Sequence, residues 1–394
     1  MTTTESDPGA TLSLVPSSEE AALRETVSRI CGDFGHDYFM ERARAQEFPR
    51  ELWHALGEKG YLGVCLPEEY GGGGLGMWAL AALAEETAAV GCPLIPIVFS
   101  QAICGNLLAK YGTDEQKERW LRGVGGGELL LSFAITEPDA GSNSHRISTI
   151  ARRDNGKYVL RGTKTFISGV EAADGIVVVA RTGQTDSGRG LLSLFLVDPD
   201  SPGLERQNVP TAVEIPEQQW MLFFDDVEID PDQLIGTENE GLKAVFDGLN
   251  PERIIGAAFC NGVGRYALDK AARYANERAV WDVPIGAHQG VSHPLAEAKI
   301  ELEGARLMTE KAARLYDAGL SAGETANMAK FLAGEAGVHC LDRAIQVHGG
   351  NGLALDYGLT EMWWFVRLLK IAPVSREMVL NFVAEHSLGL PKSY

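Results

Sequence analysis

The chain has 394 residues, 45% of them hydrophobic, and a formal charge of −19. That length exceeds one ordinary core and implies two or three packed regions, and the acidic balance excludes nucleic acid or an anionic membrane as main partner. No stretch approaches the ~18 consecutive apolar residues of a membrane span, and the six cysteines at 31, 65, 92, 104, 260 and 340 form no CxxC pair, which leaves neither a metal site nor a disulfide framework.

Residues 1–16 read as a loose tail, acidic and without a basic leader, so the protein is placed in the cytoplasm. Residues 17–128 read as an N-terminal helical domain, with an Ala/Leu/Glu-rich run at Trp78–Val90 and glycine clusters at Gly71–Gly74 and Gly123–Gly127, the second closing the block. Residues 129–238 change to strand texture. Lys157–Ile167, Ile176–Ala180, Leu191–Val197 and Met221–Phe224 are predicted strands, and Asp154-Asn155-Gly156 a turn. Residues 239–394 return to helices. The clearest runs from Pro294 to Ala318, where Leu295, Ala298, Leu302, Ala305, Met308, Ala312 and Leu315 repeat at spacings of three and four. Pro294 suits its first turn and Gly319 its stop. Helices, then strands, then helices is a mostly helical α+β order. No GxGxxG follows a strand, so a dinucleotide would be held without a Rossmann turn.

The run Phe133-Ala-Ile-Thr-Glu-Pro-Asp-Ala-Gly-Ser142 follows a predicted strand. Its hydroxyls and glycine amides can bind a flavin edge and a pyrophosphate without charge. With Pro67–Gly72, Tyr111–Lys117, Gly162–Ser168, Phe223–Val227, Glu277-Arg278, Pro284-Ile285 with Gln289, and Gln346–Gly352, all in order, the chain resembles the acyl-CoA dehydrogenase family. The resemblance implies N-terminal helices, a middle β domain and a C-terminal helical bundle. It also implies bound FAD, a homotetramer, an acyl-CoA or carrier-protein acyl thioester as substrate, and an electron-transferring flavoprotein as partner, in fatty acid or secondary metabolism.

Carried over by position, Phe133, Ile135, Thr136, Gly141 and Ser142 contact the flavin and its phosphates. Ser168 sits near flavin N5, with Phe166 in place of the tryptophan beside the ring. Arg278, Trp281 and Gln289 reach the FAD of a neighbouring subunit, Trp281-Asp282 replacing a Phe-Gly pair and reshaping the cofactor entrance. Gln346, Gly349 and Gly350 line that same site, and Ser375 and Glu377 fall beside it.

The family reaction takes the α-proton of the thioester on a carboxylate as the β-hydrogen leaves as hydride to flavin N5. Such a base needs a dry pocket that lifts its pKa, and the thioester oxygen needs donors. The usual base lies near the C-terminus, where this chain reads Ile371-Ala-Pro-Val-Ser375 with Pro373 at the glutamate position. Proline supplies neither carboxylate nor N–H. Some members carry the base on an earlier helix before an arginine. Here that place reads Asn250-Pro251-Glu252-Arg253, which makes Glu252 the base and Arg253 its support. Pro251 is expected in a first helical turn, with Glu252 facing the helix dipole. His293 and His348 read as structural, and Trp363-Trp364 as core or pocket wall. Two other readings remain: a family member running a flavin oxidase reaction or a base-independent elimination, and a hetero-oligomer subunit whose partner supplies the base.

Overall fold

The computed structural model describes residues 15–392 apart from Ser187, so most of the expected tail lies outside the described residues. The first block folds into α1 (Ser18–Ala45), α2 (Arg50–Gly57), α3 (Met77–Ala89), a π-helical segment Ile97–Gly105, α4 (Asn106–Tyr111) and α5 (Asp114–Gly126). Local chemistry sets several of these ends. The Ser17 hydroxyl accepts the Glu20 N–H at 3.1 Å, and Thr113 with Gln116 forms a reciprocal capping box at the start of α5. The second glycine cluster closes the block as a helix end. Gly123–Gly126 form the last turn of α5, and Gly127 stops it at φ 77°. Gly57 and Gly63 explain the choice: a Cβ at either would meet the backbone of this turn, so packing selects small residues within a helix.

The middle block is a sheet of β1 (Leu131–Ala134), β2 (Ile150–Asp154), β3 (Lys157–Ser168), β4 (Gly175–Gln184), β5 (Gly190–Val197), β6 (Leu204–Asn208), β7 (Gln219–Ile229) and β8 (Leu234–Ile235). The strand order is β6-β7-β3-β2-β4-β5-β8, with β1 parallel to β4. Asn155 and Gly156, at φ 48° and 85°, make the tight turn between β2 and β3. Both faces of β4 are covered. Val177 and Val179 join the helical core, while Ile176, Val178 and Ala180 join a second core with Tyr158, Leu160 and Phe195. Alternation along a strand puts these two sets on opposite faces.

The last block holds α6 (Gly241–Glu277), a hairpin of β9 (Ala279–Val280) and β10 (Val283–Pro284), α7 (Gln289–Asp317), α8 (Gly323–His348), α9 (Thr360–Ile371) and α10 (Arg376–Phe382). The apolar stripe of α7 is as read, with Ala298, Leu302, Ala305 and Ala312 buried, and Gly319 at φ 68° follows its end. Its start is corrected. The helix begins at Gln289 and Pro294 lies inside it. The proline removes the bond to the Gly290 carbonyl, and Gly290 is exposed, which leaves that carbonyl open to solvent.

The same correction applies to α6. It begins at Gly241, and Pro251 sits in its interior. The turns before the proline are held by packing: Ala244, Val245 and Gly248 are buried, and Gly241 lies against the Leu192–Ser193 backbone. Tertiary contact carries the helix through a residue that would end it in isolation. Trp363 packs on the core but Trp364 is 49% exposed, since consecutive helical residues point about 100° apart. His348 is buried and stacks on Tyr274 with ring centroids 4.2 Å apart, a structural role. His293 is exposed.

Candidate active site

The Phe133–Ser142 run leaves β1 and turns across the end of the sheet. Its shape is fixed from below by a buried ion pair. Lys164 Nζ lies 2.9 Å from Glu137 Oε1 and donates to the Ile135 carbonyl. Glu137 also accepts the N–H groups of Ser148 and Thr149, and Thr165 N–H bonds the Thr136 carbonyl at 2.9 Å. Burial alone would raise the Glu137 carboxyl; Lys164 and these donors outweigh it and hold the group at about 2. Burial pulls Lys164 down to about 8 against the attraction of Glu137. With its own backbone tied down, Thr136 keeps a hydroxyl that has no hydrogen-bond partner among the described residues. Phe133, Ile135 and Thr136 are half-buried, while Gly141 and Ser142 are exposed, with open space where a Gly141 Cβ would stand.

Phe166 stands on a register shift of β3 against β7, at φ 56°, and its ring is 58% exposed. A phenylalanine in the left-handed region is strained, and outward display of the ring is what the bulge achieves. Ser168 follows, its hydroxyl hydrogen-bonded to the Gln219 side chain. Sequence reading missed Gln219; its place opposite Ser168 in the strand register is a tertiary fact.

Glu252 and Arg253 approach this region from α6. The Cys104 thiol of the π-helical segment donates to the Ser132 carbonyl at 3.5 Å, and the Ser132 hydroxyl donates to the Ser168 carbonyl at 2.9 Å. Glu252 acts electrostatically on that same thiol. Glu252 and Ser168 thus lie on one seam between sheet and helices. Glu252 is partly buried and takes no hydrogen bond from a described residue. Desolvation lifts its carboxyl to about 7, with Arg253 and Lys330 pulling the other way. It does not face a helix N-terminus, as the sequence suggested, because α6 starts more than two turns earlier. Its shift comes from burial. Arg253 donates to Asn250 Oδ1 at 3.0 Å, while its buried Nε has no partner.

The remaining predicted cofactor residues gather elsewhere. Arg278 caps the C-terminus of α6, and Trp281 stands at the tip of the β9–β10 hairpin, 86% exposed and at φ 56°. Gln289 opens α7 and is exposed. Gln346, Gly349 and Gly350 are exposed at the end of α8, which the Tyr274–His348 stack brings to the same end of the bundle. The side chains of Arg278, Gln289 and Gln346 have no partner among the described residues, and a Cβ at Gly349 or Gly350 would meet open space. Along α6, Arg278 is 26 residues from Glu252, about 39 Å at 1.5 Å per residue. One copy of the chain therefore holds Arg278 far from Glu252. Ser375 caps α10 by accepting the Met378 N–H, and Glu377 is exposed in its first turn.

Both clusters fit a flavin dinucleotide: uncharged hydroxyls and an exposed ring on the sheet, a guanidinium and open glycines at the bundle end. No group of three or more His, Cys, Asp or Glu side chains able to hold a metal occurs among the described residues, and no described helix is long and apolar enough to cross a membrane.

The chain matches three family models: acyl-CoA dehydrogenase, N-terminal domain, over residues 17–128; middle domain, over 132–227; and C-terminal domain, over 239–388. It is 50% identical over 384 residues to the acyl-CoA dehydrogenase FadE12 of Mycobacterium tuberculosis, covering 97% of this chain and 99% of that one. The structure of a glutaryl-coenzyme A dehydrogenase with glutaryl-CoA matches with a TM-score of 0.91 at 28% identity, over 97% of this chain and 98% of that one. The FAD complex of PigA matches with a TM-score of 0.89 at 27% identity, over 96% and 100%.

Proposed function

The chain belongs to the acyl-CoA dehydrogenase family, an FAD-dependent oxidoreductase acting on CH–CH groups, and from that premise we propose that it desaturates an acyl thioester at the α,β position with Glu252 as the base. The observation that carries this reading is the state of Glu252: a carboxyl lifted to about 7, without a hydrogen bond among the described residues, beside an arginine whose buried Nε is unspent. Pro373 removes the usual carboxylate, and Glu252 supplies one on the seam that ends at Ser168.

Thr136, Ser142, Phe166 and Ser168 would hold FAD from one chain, and Arg278, Gln289, Gln346 and the Gly349-Gly350 turn from a second; when bound, it supplies the hydride acceptor. Everything else is the work of side chains. Above about pH 7 Glu252 is ionised and takes the α-proton; below it the group is already protonated and cannot. Arg253 keeps the carboxylate charged without bonding it, so the oxygens stay open to substrate. Val374 N–H has no partner among the described residues and replaces Pro373 as a donor to the thioester oxygen. The substrate is an acyl-CoA, the assembly a homotetramer, and an electron-transferring flavoprotein the acceptor.

The test is anaerobic bleaching of the flavin by a panel of acyl-CoAs in wild type and Glu252→Gln. Bleaching by wild type and not by the variant, with FAD retained in both, supports the reading. Equal bleaching would remove Glu252 as base. If neither protein bleaches while product forms, the reaction is a redox-neutral elimination.

A further inference from the structure

Lys330 is 3% exposed on α8. Its ammonium donates to the carbonyl of Lys370, in the last turn of α9, and to that of Val374. Among the described residues no carboxylate pairs with it. Glu335, the acid nearest on its own helix, is already taken by Lys370 Nζ at 2.6 Å and Arg376 Nε at 2.9 Å. A buried cation without a counterion is costly, and capping a helix end needs only a neutral donor or water.

Two contacts fix what lies opposite. A Cβ on Gly323 of α8 would meet the Asn250 side chain at 3.9 Å, and one on Gly337 would meet the Cys260 carbonyl at 3.0 Å. The helices α6 and α8 thus run side by side in the same direction, and Lys330, midway between those glycines, is level with the middle of Asn250–Cys260. That interval contains Glu252 and Arg253. Five titratable groups act on or face Lys330: Glu252, Arg253 and Cys260 from α6, Glu335 from α8, and Glu377 from α10.

We propose that Lys330 is a positioning residue of the active site. Its ammonium clamps the 370–374 segment, where the family's usual base is missing, and turns its unpaired charge on Glu252, keeping that carboxylate available. The inference rests on the reading of Glu252 as base. It makes the Pro373 segment a wall held by α8.

Lys330→Gln keeps donors for both carbonyls and removes only the charge; Lys330→Arg keeps the charge. Two quantities are read against pH in each holoenzyme, with Glu252→Gln for assignment. One is the rate of flavin bleaching by the best acyl-CoA. The other is the infrared carbonyl band of the protonated carboxyl that Glu252→Gln removes. In Lys330→Gln both midpoints should rise by about one pH unit, the loss expected on removing a nearby opposite charge. Lys330→Arg should leave both midpoints in place. Unmoved midpoints in Lys330→Gln, or equal shifts in both variants, overturn the proposal while Glu252 remains the base. A Glu252→Gln enzyme that bleaches like wild type overturns the reading of the base, and this inference with it.

Discussion

At the scale of single residues, Glu252 and Glu217 are raised carboxyls with different surroundings. Glu252 sits by two cations and keeps open oxygens. Glu217 is 2% exposed, both its oxygens lack a partner among the described residues, and burial lifts it to about 8. Its neighbour Glu171 cannot help, since it is occupied by the Gln218 and Trp220 N–H groups. A carboxyl whose pKa is raised on folding favours the fold when protonated, and that contribution fades as pH rises from the unfolded value, near 4.5, through the folded one. Glu217→Gln should therefore gain on wild type in melting temperature between about pH 4.5 and 8, with no further gain above. A difference flat in pH would mean that Glu217 titrates normally. The same logic orders the kinetics. The rate should climb with pH through about 7 in wild type, and a profile flat from pH 5 to 9 would show that no group resembling Glu252 must ionise.

At the scale of elements, two charged assemblies hold the site's supports. The Glu137–Lys164 pair anchors the Thr136–Ser142 turn to β3. Removing one partner of a sealed pair strands the other charge, so Lys164→Met should cost about 3–5 kcal/mol by denaturant titration and weaken FAD retention. Because Glu137 is held at about 2, its contribution is complete above about pH 4.5 and is lost as pH falls from there toward 2. The second assembly joins four helices. Glu85 on α3 meets Arg24 of α1, Arg265 of α6 and Arg306 of α7, while Glu20 of α1 meets Arg314 of α7. Glu85→Ala leaves Arg24 and Arg265 to share Glu86 and Arg306 to rely on Glu303, and should lower stability by roughly 3 kcal/mol, the low end for removing one partner of a buried pair. A loss below about 1 kcal/mol, the range of surface pairs, would show that water replaces the carboxylate there.

At the scale of the whole molecule, the length of α6 is decisive. With about 39 Å between Glu252 and Arg278, the proposed site takes the first from one copy and the second from another. Glu252→Gln and Arg278→Ala chains should each be inactive as pure assemblies. Mixed, unfolded and refolded together, they should recover roughly a quarter of wild-type activity, because random pairing places two intact halves at one site in that share of cases. No recovery, with mixed assemblies demonstrated, would mean that each chain completes its own site.

The sequence by itself determined the order of helices, sheet and helices, because apolar periodicity and turn chemistry are local: the Asn155-Gly156 turn, the α7 stripe and the Thr113 cap needed nothing distant. The order of short motifs is also what singles out Thr136, Ser142, Ser168, Glu252 and Arg278 for the proposed site. It misplaced the start of α6 and of α7, because a proline ends a helix by local rules and only packing against the Leu192–Ser193 strand carries α6 through Pro251. Gln219 opposite Ser168, Glu217 in a dry seam and Lys330 across from the α6 segment that carries Glu252 were decided by tertiary structure alone. Desolvation and register depend on what lies across a fold, and residues 78 or 51 positions apart along the chain carry no local mark of being neighbours.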